Sequence, residues 1–225
     1  MVTKRQDLEL LLKFNHNLDG LIHNIFFALE IIEAKSQHDK NMKCLDIISS
    51  NIYLLNKLTQ SMLNYLTLKT RGKNLLMEKT ELNGFIDMVI QLFSRKYKSK
   101  IKIEYTKPAQ QIYRLIDKQL FSIALFELLD NAAKFSEKNI IHVTLAIENR
   151  KIQLAIKNQG KTIPAEYYKK IFLLFFKIPS AIVGGAVEKG VGLGLTTCKK
   201  IIDLHKGKIE LKSESGIGTT FIILL

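Results

Sequence analysis

The sequence predicts an α+β chain, with a long helical hairpin followed by a mixed sheet carrying helices on one face. Two contrasts carry this prediction. From Leu8 to about Arg71, apolar residues recur at helical spacings with almost no glycine or proline; beyond Gly72, short β-patterned runs alternate with apolar helical ones. With 47% hydrophobic residues, each part can bury a core, so disorder is not the default. The expected division is residues 1–72 and residues 73–225.

In the first helix, Leu11, Phe14, Leu18, Leu21, Ile25, Leu29 and Ile32 form the apolar stripe. SQHDKN, Ser36 to Asn41, reads as a polar break. The second helix repeats the rhythm through Leu45, Ile48, Ile52, Leu55, Met62 and Leu66 and ends near Arg71-Gly72, making an antiparallel hairpin. Phe26, Phe27 and Ile31 lie off the first stripe. Pairing two hairpins into a four-helix bundle would cover them, so a homodimer is expected. His16 and His23 both fall opposite the stripe, within about 20° of one another.

After Gly72 comes a short extended piece and a helix from about Leu82. KIKIEYT alternates as a strand, and Asp117 to Phe135 is a strongly apolar helix. HVTLAIENRKIQLAIKN reads as a hairpin turning near Asn149-Arg150, Thr196 to Leu204 as a helix, and KGKIELKSESGIGTTFIILL as a closing hairpin with Gly216 and Gly218 in its turn.

Several function classes drop out. Only two cysteines occur, Cys44 and Cys198, without a partner motif, which excludes a disulfide framework and a cysteine zinc site. No apolar run reaches the roughly 18 residues of a membrane span. MVTKRQDLELLLKF places charges inside any would-be apolar core, so it does not read as a signal peptide. The net charge of +13 favours acidic partners, from nucleotides to anionic surfaces. The basic residues are scattered, however, so nucleic acid is not expected and a solvated basic surface accounts for most of them.

The chemical signals are local. GVGLGL, Gly190 to Leu195, places alternate glycines before a helix, where backbone N–H groups can approach phosphate oxygens. It is neither a dinucleotide-binding fingerprint nor a Walker loop. In FELLDNAAKFS, Glu127, Asn131 and Lys134 are spaced four and three apart and share a helix face. A carboxylate, an amide oxygen and an ammonium so placed could hold magnesium and a triphosphate. Between these runs lies KNQGKTIPAEYYKKIFLLFFK, with a strand-ending loop at Asn158, Gly160 and Pro164 and an aromatic cluster at Phe172, Phe175 and Phe176.

Together these runs resemble the sensor histidine kinases of two-component signalling. FELLDNAAKFS resembles that family's N box, NQGKTIP its first glycine box, IFLLFF its F box and GVGLGL its second glycine box, in family order. FNHNLDGLIHNI resembles the phosphoacceptor box, with His16 in the histidine's place, while His23 falls at an ordinary helical position. SSNIYLLNKLTQSMLNYLTL resembles the second hairpin helix, and the closing hairpin resembles the end of the catalytic domain. The resemblance implies a dimeric four-helix bundle followed by an α/β sandwich ATP-binding domain of the gyrase type. It implies a kinase that takes phosphate from ATP onto His16 and relays it to an aspartate of a response regulator receiver domain. Asn131 would hold Mg²⁺, Lys134 would touch phosphate and Phe135 would pack on the adenine. Asn158, Gly160, Gly190, Gly192, Gly194 and Thr219 would complete the nucleotide site, with a mobile lid from about Pro179 to Lys189. His16, Asn17 and Glu127 are the residues expected to act in catalysis.

Four positions depart from the family's pattern. Asn17 stands where an acidic residue follows the histidine, Gly20 where a Thr or Asn positions water, and Leu21 where a proline bends the helix. Asn158 replaces the aspartate that accepts the adenine amino group. Its amide accepts without charge and could flip to donate to guanine, so weaker selectivity for adenine is expected. These departures leave a second class open: a histidine phosphotransfer protein or nucleotide-binding dimer scaffold with little or no kinase activity. Fifteen residues precede His16, too few for a sensor domain. The expectation is a cytoplasmic protein, or the cytoplasmic portion of a receptor that meets the membrane only through a missing sensor segment.

Overall fold

The computed structural model describes residues 2–33, 38–71, 74–96, 101–179 and 192–225. The chain divides into two compact units, Met1–Asn64 and Tyr65–Leu225. The division falls inside the second helix, ahead of the boundary expected at Gly72.

The first unit is built from α1 (Val2–Glu33) and α2 (His38–Arg71), which crosses the division. Both run further than their apolar stripes. α1 begins at Val2, and His38 to Asn41 of the expected polar break are already helical. The seam differs from the predicted stripe. Ala28, Cys44, Asn51, Leu58, Ser61 and Met62 are buried, whereas Leu11, Leu29, Leu45 and Ile52 are exposed. Asn24 Nδ2 donates to Asn51 Oδ1 at 3.4 Å, and Asn51 Nδ2 donates to the Ile47 carbonyl at 2.8 Å.

The second unit runs β1 (Glu78–Glu81), α3 (Leu82–Lys96), β2 (Lys102–Thr106), β3 (Tyr113–Ile116), α4 (Lys118–Phe135), β4 (Ile140–Glu148), β5 (Lys151–Asn158), α5 (Gly194–Leu204), β6 (Lys208–Glu214) and β7 (Gly218–Leu224), with two single 3₁₀ turns between β5 and α5. The main sheet has the order β2-β4-β5-β7-β6. Only the β2–β4 pair is parallel, and β1 and β3 form a separate antiparallel pair. Sequence periodicity did not reveal β3, since four residues interrupted by Arg114 are too few for an alternation to register. The β4–β5 turn uses Asn149 and Arg150 with φ of 50° and 63°, the two-residue geometry that matches strand twist.

Alternate strand residues build one apolar face. Ile141, Val143, Leu145, Leu154, Ile156, Phe221 and Ile223 are all at most 2% exposed. α3, α4 and α5 cover that core, and Leu68 from the last turns of α2 joins it. α4 is the most enclosed, burying Leu120, Phe121, Ala124, Leu125, Leu128, Leu129, Ala132 and Ala133. Among the described residues, no helix is long and apolar enough to cross a membrane.

Asp117 fixes the start of α4. Its Oδ1 accepts from Leu120 N and its Oδ2 from Leu76 N, each at 3.1 Å. Its own N–H donates to His205 Nε2 at 2.9 Å, and His205 Nδ1 faces the Ile201 carbonyl at 2.8 Å. Since a carbonyl only accepts, the imidazole proton resides on Nδ1 and both ring nitrogens are satisfied. One buried residue, through its side chain and its backbone N–H, thus joins the N-terminus of α4, the segment before β1 and the end of α5. Asp117→Ala is expected to lower unfolding stability by roughly 1–3 kcal/mol, from the lost cap and two orphaned N–H groups, measurable by urea titration.

Candidate functional site

On α4, Glu127, Asn131 and Lys134 are all half-buried along one face, as their spacing requires. Beside them, a residue that sequence reasoning passed over takes part. Asp130 is buried, and its Oδ2 pairs with Lys134 Nζ at 2.5 Å. This i,i+4 pair holds the ammonium over the last turn of the helix. Phe135 ends α4 and is 46% exposed.

Asn158 ends β5 on the same face of the sheet as Leu154 and Ile156, and is 3% exposed. Its Nδ2 donates to the Phe135 carbonyl at 3.2 Å. Gly160 lies against the same carbonyl, and a Cβ there would overlap the Phe135 oxygen. A Cβ on Gly218, at φ +102°, would overlap the Asn158 carbonyl. Thr219 is opposite Asn158 in the β5–β7 register. Its Oγ1 meets Ser213 Oγ at 2.8 Å, and Ser213 Oγ accepts from Ile163 N at 2.9 Å. Tyr168 OH donates to the Ser213 carbonyl and accepts from Ser213 N. This polar network, which no local motif announced, ties the loop after Asn158 to β6 and β7.

The second glycine run is only partly described, because Gly190 and residues 180–189 of the expected lid lie outside the described residues. Gly192 adopts φ +76°, and a Cβ there would stand 2.7 Å from the Phe175 backbone. Phe175 N donates to the Gly192 carbonyl at 2.8 Å, and Thr196 Oγ1 to the Phe172 carbonyl at 2.9 Å. Gly194 opens α5 against the Glu127 carboxylate, which would have to move aside for a side chain there. Burial first, and the Glu127 charge next, push the Cys198 thiol well above its ordinary range, so this cysteine is an inert core residue.

In the other unit, His16 and His23 are both exposed on α1. Asn17 turns back along its own helix, Nδ2 donating to the Lys13 carbonyl at 2.8 Å. A Cβ on Gly20 would meet nothing within 4 Å.

Residues 116–225 match the family described as histidine kinase-, DNA gyrase B- and HSP90-like ATPases. The catalytic domain of the histidine kinase ThkA is 30% identical, with a TM-score of 0.56, over 66% of this chain and 94% of that one. The chain belongs to the sensor histidine kinases. Sensor protein SrrB of Staphylococcus aureus is 29% identical over 203 residues, which cover 84% of this chain and 32% of SrrB. The chain therefore spans about a third of the length of the curated relatives it matches. The fold extends over the hairpin as well. ThkA in complex with the response regulator TrrA gives a TM-score of 0.73 over 99% of this chain and 63% of that one, at 24% identity.

The Gly160 position provides a direct check on this geometry. Gly160→Ala must displace the Phe135 carbonyl or the loop, and thermal denaturation is expected to show a loss of about 1–3 kcal/mol.

Proposed function

We propose that this chain is the ATP-dependent, self-phosphorylating core of a histidine kinase acting on the cytoplasmic side, with His16 as phosphoacceptor and an aspartate of a response regulator receiver domain as the next acceptor. What supports this most directly is the close approach of backbone to α4. Gly160 lacks room for a Cβ against the end of the helix that carries Glu127, Asn131 and Lys134, Gly192 lacks it against the Phe175 backbone ahead of α5, and Gly194 meets the Glu127 carboxylate. Such surfaces offer N–H groups to phosphate. Gly190 and Thr219 belong to the same proposed nucleotide site, with Phe135 against the base.

The donors present also suit magnesium. No cluster of three His, Cys, Asp or Glu side chains occurs among the described residues, so a divalent ion would rely on amide and phosphate oxygens, as Mg²⁺ does. Asn131 would be its main protein ligand, with the Glu127 carboxylate one turn away. Bound there, Mg²⁺ would neutralise phosphate charge. Lys134 would turn its ammonium from Asp130 toward the phosphates.

At the acceptor, the Nε2 lone pair of His16 attacks the γ-phosphorus as the bond to the β–γ bridging oxygen breaks and ADP leaves. Positive charge develops on the ring. A neighbouring carboxylate would stabilise that charge or take the Nδ1 proton, an effect typically worth about 10²–10⁴-fold. Asn17 carries no charge, so this kinase is slow. With labelled ATP and Mg²⁺, the wild type should form an acid-labile phosphoprotein. His16→Ala should abolish the label and His23→Ala should keep it. Asn17→Asp should accelerate labelling at least about tenfold, some 1.4 kcal/mol of barrier. Asn131→Ala should lose Mg-dependent ATP binding by calorimetry. Full labelling of His16→Ala would refute the acceptor assignment.

The uncharged Asn17 favours a second reading, a phosphotransfer protein or nucleotide-binding dimer scaffold. Wild type and Asn17→Asp that both stay unlabelled while binding ATP would establish that instead.

The homodimer and regulator belong to this proposal. Phe26 is 61% exposed and Phe27 58%, alongside Leu45, Ile52 and Leu63, which is too much apolar surface for a hairpin alone in water. Sedimentation should give a dimer, and Phe26→Asp with Phe27→Asp should yield monomers. ThkA, whose solved complex contains TrrA, supports a receiver domain as partner.

A further inference from the structure

Asn158 raises a question that the family resemblance leaves open, because a neutral amide has two faces and can read either an amino group or a carbonyl. The structure points to one face. Phe135 is the last residue of α4, so its carbonyl has no partner within the helix and carries the negative end of the helix dipole. Asn158 Nδ2 satisfies that oxygen at 3.2 Å. Turning the amide over would bring Oδ1 against the Phe135 oxygen, acceptor against acceptor, at a buried site.

The amide has little room to evade this contact. Gly160 packs on the same carbonyl, and its missing Cβ would lie 3.1 Å from Nδ2. Gly218 packs on the Asn158 backbone, and the pairing of Asn158 with Thr219 fixes the strand register. No other hydrogen bond to the Asn158 side chain occurs among the described residues, and Oδ1 is not sealed from solvent. The outward edge is therefore an acceptor.

We propose that the Phe135 backbone carbonyl is a positioning group for base selection: by engaging Nδ2, it makes Asn158 an acceptor-only reader that selects a purine with an exocyclic amino group at position 6. This rests on the nucleotide-site reading above. It also reverses what the sequence alone led one to expect, since a freely flipping amide would have weakened the preference for adenine. Replacing an aspartate by Asn158 removes charge from the site without changing what the site accepts.

The test compares three Mg²⁺-nucleotides on the wild-type chain by calorimetry: ATP, inosine triphosphate with a 6-carbonyl, and purine riboside triphosphate with only hydrogen at position 6. A held amide predicts ATP tightest, purine riboside triphosphate weaker by roughly 3–10-fold for one lost hydrogen bond, and inosine triphosphate weakest by about a further tenfold. A flipping amide bonds both substituents and would place inosine triphosphate level with ATP and ahead of the purine riboside; that order overturns the proposal. In Asn158→Leu, ATP and purine riboside triphosphate should converge to within about twofold, and a preference that survives there also overturns it. If none of the three binds the wild type, the nucleotide-site reading itself fails, and the proposal falls with it.

Discussion

The second unit depends on a helix that is buried along its length and has both ends tied. An enclosed helix leaves N–H groups at its start and carbonyls at its end that water cannot reach. In α4 the first are met by Asp117, which also binds Leu76 N and His205, and the last carbonyl by Asn158 from β5. Asp117 sits at the head of the helix itself, but its partners Leu76 and His205, like Asn158 at the far end, come from elsewhere in the chain, so satisfying the helix also positions the neighbouring elements. Glu127, Asn131 and Lys134 inherit their places from that arrangement.

Much of this architecture was legible because it is periodic. Helical spacing located α1 to α5, and alternation located β4 and β5. The seam of the hairpin was harder to read. A stripe marks which residues are apolar but not which of them a neighbouring helix covers, and Ala28, Cys44 and Ser61 are buried where Leu29 and Leu45 are exposed. The candidate site divides in the same way. Glu127, Asn131 and Lys134 share a face by arithmetic on a helix. The Phe135–Asn158 bond and the Thr219–Ser213–Ile163 chain join residues distant in sequence, and no local pattern encodes them. Asp130 lay in plain view within the motif, but only its pairing with Lys134 shows why an acid sits there.

Two amides, Asn17 and Asn158, stand where the family resemblance places acids, and their surroundings differ. Asn17 lies on a solvated helix, bonded to the carbonyl one turn back, where a charge would cost little. Asn158 faces the negative end of a buried helix, where a carboxylate would be repelled and an amide is welcomed. The same loss of charge is thus a gap in one unit and a local fit in the other.

The hydrogen bond from Phe175 to Gly192 has a consequence for the divergence of related chains. It sets the residue just ahead of α5 by a contact made outside that helix. Position 192 is thereby closed to any side chain, because its backbone is left-handed and already against Phe175, so a single added methyl group would strain the junction itself. Leu173, two residues before Phe175 and 57% exposed, is open to exchange by comparison.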